Sequence, residues 1–261
     1  MIPRLTALNV LLASLTVSSG VVDAIAFLAM GKVFSAFMTG NLVFLGLGAA
    51  DAFPPNGPNV VRVAVALAAF ALGVFVSGRI IRRVPARAGG LSTTLAGVLL
   101  AQIVFLAGWM AVSGRPAATF TTCLTGFAAL AMGMQSGAIG ALDVKAVFTT
   151  AATGAVINLL REAADPGVST TNPRQLAAIL VCLVVGATVG GLLLVGARPY
   201  APVVPPLATA VAIAASLVER RGALGDLRTR PRLADNGDRA PRGVVTPPEL
   251  EPSKARMAAG E

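Results

Sequence analysis

Apolar residues come in long blocks along this chain, and polar ones collect in the gaps between them. Leu5–Met30 is the first block, and Val33–Ala50 follows after only Gly31-Lys32. Val60–Ile81 is the third and closes on Arg79, Arg82 and Arg83. Ser92–Val112 and Ala117–Leu142 are separated by Ser113-Gly114-Arg115-Pro116, the composition of a tight turn. Val147–Leu160 is shorter. Gln175–Ala197 and Val203–Val218 complete the series, with Arg198-Pro199-Tyr200 between them. Pro205 and Pro206 fall near the start of the last block, where a helix tolerates proline. Crossing a hydrocarbon core of about 30 Å takes about 20 apolar residues as helix. Most blocks therefore predict spanning helices. Val147–Leu160 reaches only about 21 Å at 1.5 Å per residue and predicts a segment too short to cross.

The pattern also repeats. Val33-Phe34-Ser35-Ala36-Phe37-Met38-Thr39-Gly40-Asn41 returns as Val147-Phe148-Thr149-Thr150-Ala151-Ala152-Thr153-Gly154-Ala155. Both copies put Thr-Gly inside an apolar run, where it predicts a broken helix. Gly73-Val74-Phe75-Val76-Ser77-Gly78 maps to Gly186-Ala187-Thr188-Val189-Gly190-Gly191, and Ser19-Gly20 maps to Ser136-Gly137. The anchors keep their order and nearly their spacing, which predicts a duplicated unit. Repeat one spans residues 5–113 and repeat two residues 117–218. Each holds a long helix, a short broken one, then two long helices. A cleavable leader is the competing account of the first block, from Arg4 and Val22-Asp23-Ala24. The related pattern recurs at Ser136-Gly137, mid-chain, where cleavage makes no sense.

Positive charge separates two topologies. If the broken segments cross, the chain has eight spans and parallel repeats. If they dip in and return, it has six spans and inverted repeats. With six, one face holds Arg4, Arg79, Arg82, Arg83, Arg87, Lys145, Arg161, Arg174 and the basic tail, and the other only Lys32, Arg62, Arg115 and Arg198. Basic loops face the cytoplasm, so six spans give the ordered distribution. The expected fold is all-α: a polytopic membrane helix bundle of six spanning helices plus two short broken, re-entrant segments. Two repeats of inverted topology build it, with both termini cytoplasmic. Non-helical backbone at membrane depth must face protein or water, so the Thr-Gly breaks are expected to face the interior.

Composition agrees. Hydrophobic residues make up 55% and charged residues 13%, against about a quarter charged in a soluble domain. The net charge of +9 lies at block ends, which points to anionic lipid and away from nucleic acid. Beyond Val218 come Arg220, Arg221, Arg228, Arg230 and Arg232, then Pro231, Pro241, Pro247, Pro248 and Pro252. Residues 219–261 read as a disordered, proline-rich cytoplasmic tail whose arginines hover over anionic lipid. Cys123 and Cys182 sit in apolar runs as small hydrophobes. Histidine is absent, which excludes His-based zinc sites and Ser-His or Cys-His catalysis. No metal, no cofactor and no enzymatic activity are expected.

A few polar residues interrupt the blocks. Asp23 follows Ser18-Ser19-Gly20 within the first. A carboxylate at that depth needs water or a partner. It reads either as a cation or proton site or as a group satisfying Lys32 or a broken-helix amide. Thr39, Gly40 and Asn41 offer donors and acceptors to a ligand, or cap the broken ends. Thr149, Thr150, Thr153 and Gly154 hold the matching places in the second copy, where Ala155 replaces the asparagine. Gln135 and Asn158 either complete such a site or bond between helices. Gly46-Leu47-Gly48 lacks the strand and the Lys-Ser/Thr of a nucleotide loop. Asp23 and Asp143 lack the contexts of an intramembrane aspartyl protease.

Ser19-Gly20-Val21-Val22-Asp23-Ala24, Phe27-Leu28, Gly31, Val33-Phe34 and Met38-Thr39-Gly40-Asn41 resemble the opening signature of the YoaK-like bacterial membrane proteins. Met132-Gly133-Met134-Gln135 and Thr149-Thr150-Ala151-Ala152-Thr153-Gly154 resemble that family's second signature, with Ala155 and Phe148 where it often carries a hydroxyl and a basic residue. The resemblance runs from about Leu11 to Val218 and implies a six-span inner-membrane protein with no established activity. Two functions are expected from the residues: a small-solute or ion transporter or channel with its site between the broken segments, or a non-transporting scaffold or accessory protein.

Overall fold

The computed structural model describes residues 2–54, 56–84, 89–142, 152–165 and 173–229, with backbone alone for 2–6 and 219–229. Helices account for the fold: α1 (Ile2–Ala29), α2 (Met38–Ala49), α3 (Val60–Arg83), α4 (Gly90–Ala111), α5 (Ala118–Gly140), α6 (Ala152–Ala164), α7 (Pro173–Gly196) and, after a 3-10 turn at Arg198–Val203, α8 (Val204–Thr229). Among the described residues, six stretches are long and apolar enough to span a bilayer: Ala7–Ala29, α3, α4, α5, α7 and Arg198–Val218. With no water to hydrogen-bond free backbone, long apolar segments close their bonds internally as helix.

The central helices are α1 and α5. The protein buries 61% of each of their spans, against 22% for α3 and α7. α1 lies against α7 and α8, α5 lies against α3 and α4, and α4 meets α8. Backbones touch at two crossings. A Cβ on Gly20 of α1 would collide with the Leu183 carbonyl of α7 and lie 2.8 Å from the Ala187 nitrogen. A Cβ on Gly73 of α3 would collide with the Leu130 carbonyl of α5 and lie 2.8 Å from the Met134 nitrogen. Gly186 against Val17 and Gly133 against Phe70 complete the two contacts from the other side. Only hydrogen at all four positions lets the helices approach so closely.

Connections group at two ends of the bundle. After α1 the chain turns through Gly31 and Lys32, both at positive φ, and the Lys32 ammonium donates to the Asn56 carbonyl just before α3 at 2.6 Å. The Arg62 guanidinium donates to the carbonyls of Met30 and Ala118, at 3.0 and 3.3 Å, tying the end of α1 to the starts of α3 and α5. Trp109 Nε1 donates to the Arg198 carbonyl and Arg198 Nε to the Gly114 carbonyl, both at 2.8 Å, which clamps the α4–α5 turn to the 3-10 turn. Lys32, Arg62, Arg115 and Arg198 therefore share one end. Residues 30–59 leave and return there, so α2 does not cross; its 12 residues measure about 18 Å. α3 carries Arg79, Arg82 and Arg83 to the opposite end.

The last helix runs past Val218, the expected boundary of a disordered tail, to Thr229. Arginine, leucine and alanine are strong helix formers. The charge at Glu219-Arg220-Arg221 ends the span without ending the helix. The rest of the tail, with Arg87, Asp143 and Lys145, lies outside the described residues.

Candidate functional site

The backbone between α1 and α2 leaves amides without helical partners, and two side chains answer them. The N–H groups of Ser35 and Ala36 both donate to Asp23 Oδ1 at 2.7 Å, and that of Phe37 donates to Asp23 Oδ2 at 3.1 Å. The Phe34 N–H donates to Asn41 Oδ1 at 2.9 Å, and Asn41 Nδ2 donates back to the Phe34 carbonyl at 2.6 Å. Four successive amides, 34 to 37, thus converge on one carboxylate and one carboxamide, a nest of the kind that holds anions. Here the anion is the protein's own. Of the alternatives open for Asp23, the broken-helix amide is its partner; the Lys32 ammonium goes to Asn56.

The first Thr-Gly pair does not break a helix; it begins one. Thr39 and Gly40 lie in the first turn of α2, and Thr153 and Gly154 lie within α6. First-turn amides have no intrahelical partner anyway, so residues of low helix propensity are cheap there. The irregular stretch is 31–37, ahead of the pair. Gly40 serves packing: a Cβ there would lie 2.8 Å from Phe37 Cδ1 and 3.0 Å from Phe34 Cδ2. Phe34 stacks on Phe27 at 5.2 Å and on Phe44 at 6.0 Å between ring centroids, and meets Phe37 edge-on at 5.3 Å. Thr39 is exposed while Asn41 is buried.

A cavity of about 540 Å³ opens between α1 and α7. Ser19 and Asp23 on α1, Phe34 and Phe37 ahead of α2, Ala187 on α7 and Ala152 at the start of α6 are among its walls. Phe37, just ahead of α2, and Ala152 of α6 therefore border one space. The remaining expected site residues divide. Thr153 and Gly154 follow Ala152 but are exposed; Thr149 and Thr150 lie outside the described residues. Gln135 is fully buried on α5 and donates to the Leu15 carbonyl at 3.0 Å. Leu15 lies about 12 Å along the helix from Asp23, so Gln135 joins α5 to α1 away from the cavity.

Two features escaped the sequence reading as site elements. Ser19, one turn before Asp23 on the same face, is 1% exposed and its hydroxyl has no partner. Its spacing of four from Asp23 was the available signal. The second is a buried chain through the bundle: Thr209 Oγ1 donates to Gln102 Oε1 at 2.7 Å, and Gln102 Nε2 to Ser18 Oγ at 3.2 Å, joining α8, α4 and α1. Gln102 stands alone in an apolar block just as Gln135 does.

The UPF0700 transmembrane protein YoaK of Bacillus subtilis (strain 168) is 30% identical over 154 residues, which cover 59% of this chain and 66% of that relative, just under two thirds. No solved structure matches the chain. The family pattern fits residues 11–216, from the first helix through the last span, and the chain belongs to the family described as "Protein of unknown function (DUF1275)".

Proposed function

We propose that this multi-pass membrane protein moves a small solute or ion through a site between its two short helices. One observation carries the reading: a single cavity bordered by Asp23, by Phe37 ahead of α2 and by Ala152 at the head of α6. Short helices whose N-terminal ends meet inside a membrane bundle are the usual frame of a transport site. The two glycine crossings, α1 on α7 and α3 on α5, relate residues 113 apart (Gly73 to Gly186, as the sequence anchors have it, and Gly20 to Gly133 in place of Gly137) and support two inverted repeats, residues 5–113 and 117–218. Each crossing is a bearing on which one repeat could rock against the other. The excess of arginine at the end opposite Lys32 supports a cytoplasmic location for that end and for both termini, in the bacterial inner membrane. The Arg-rich extension of α8 would then lie over anionic lipid. The protein is no enzyme in this reading.

A second reading, a non-transporting scaffold or accessory protein, draws on one fact: Asp23 and Asn41 direct their hydrogen bonds to the backbone. Proteoliposome flux separates the two. Solutes of several classes are screened with the natural protein and with Ala152→Trp, a larger side chain in the cavity wall outside the α1–α7 crossing. Uptake by the natural protein that Ala152→Trp abolishes supports transport. No uptake or binding in any class, and no effect of Ala152→Trp or Asp23→Asn, would end it.

A further inference from the structure

Resting on that reading, we infer that the cavity beside Asp23 takes a small organic amine, cationic at neutral pH, with an aromatic or alkyl body. Four observations converge. The wall holds one carboxylate and, among the described residues, no lysine or arginine. The amides of 35–37 already answer that carboxylate, and an anionic solute would find no basic side chain among the described residues of the wall to hold it. Ser19, buried and with its hydroxyl unpartnered, stands one turn from that carboxylate in the same wall. A buried hydroxyl without a partner is an exception that asks for an occupant. The carboxylate itself has room for one more donor: two oxygens offer about four acceptor positions, and amides take three. An ammonium group supplies that donor.

The rest of the wall is apolar. Phe27, Phe34 and Phe37 present rings there, and an aromatic face attracts a cation within about 6 Å of its centroid. About 540 Å³ lies in the range of cavities, about 300–1,000 Å³, that enclose small ligands. Apolar body, single donor head and positive charge are thus specified by separate features of one space.

Three probes of nearly one shape and different charge test this: phenylbutylammonium, phenylbutanol and phenylbutyrate. Each is titrated against the full chain in lipid nanodiscs, with empty nanodiscs subtracted. The ammonium is expected to bind at least about tenfold tighter than the alcohol, the scale of a hydrogen bond to a charged group, and the butyrate to show no binding above empty nanodiscs. Ser19→Ala, which removes only an unpartnered hydroxyl and should fold normally, is expected to weaken the ammonium about threefold or more, and Phe37→Leu about as much. Equal affinity for ammonium and alcohol, or preference for butyrate, overturns the inference, and neither result depends on whether Asp23→Asn folds. Ammonium bound but never carried would leave this inference standing and end the transport reading. Carriage of another solute that ammonium does not compete would do the reverse.

Discussion

Three consecutive amides donate to the Asp23 carboxylate, and no other side chain among the described residues accepts from them. Asp23→Ala would take the acceptor from two part-buried N–H groups, of Ser35 and Ala36, and from the exposed one of Phe37. A buried orphaned group costs about 1–3 kcal/mol and an exposed one turns to water, so a loss of about 2 kcal/mol is expected, read as a lower midpoint of thermal unfolding in detergent. Acetate should restore part of it in this variant and none in the natural protein, because the nest accepts any small carboxylate of the right size. An unchanged midpoint would mean the amides find water instead. Asn41→Leu should behave similarly but without acetate rescue, since the carboxamide both accepts from and donates to Phe34. Asp23 and Asn41 were legible as polar interruptions of apolar blocks. Their partners were not, because main-chain amides leave no mark in a list of side chains. Ser19 was in plain view, but a hydroxyl in a membrane helix usually bonds to its own backbone, and nothing in the spelling shows that this one does not.

At the scale of elements, the glycines sort into those a neighbouring backbone requires and those it does not. Gly133→Val would push its side chain into the Phe70 backbone, which cannot swing aside. Overpacking of this kind costs about 1–3 kcal/mol or more, and separation of α3 from α5 should follow. Gly154 on α6 has open space where a Cβ would go, and its φ is not positive. Gly154→Ala should be neutral or stabilising by up to about 1 kcal/mol. Parallel thermal unfolding of the two variants checks the contrast; equal effects would contradict the crossing geometry. The same distinction explains what the sequence could convey. Spanning helices announce themselves by length, because lipid demands about 20 apolar residues, and all six fell where the blocks lay. Helix starts are another matter. Thr39-Gly40 looks like a break by propensity, yet first-turn positions tolerate poor helix formers. The continuation of α8 to Thr229 was equally hidden, since charge marks the edge of a membrane and not the end of a helix.

For the molecule as a whole, the deciding quantity is which residues share a face of the bilayer. The bonds from Lys32 to Asn56 and from Arg62 to Met30 and Ala118 draw the ends of the 30–59 excursion to one place. Six spans then put Lys32, Asp51 and Arg115 on one face and Arg82 on the other. Single cysteines at these four positions test the arrangement, with Cys123 and Cys182 replaced by alanine because both are free thiols. A membrane-impermeant maleimide applied to intact cells should label Lys32→Cys, Asp51→Cys and Arg115→Cys, and should reach Arg82→Cys only after permeabilisation. The basic-side rule sets that direction: α3 alone delivers Arg79, Arg82 and Arg83 to the end it predicts to be cytoplasmic. Reversed labelling of all four would keep the fold and invert its orientation. Lys32 and Asp51 on different faces could not be reconciled with it, because α2 would then have to cross about 30 Å of hydrocarbon with 12 residues, and the nest that Asp23 fills would be pulled apart.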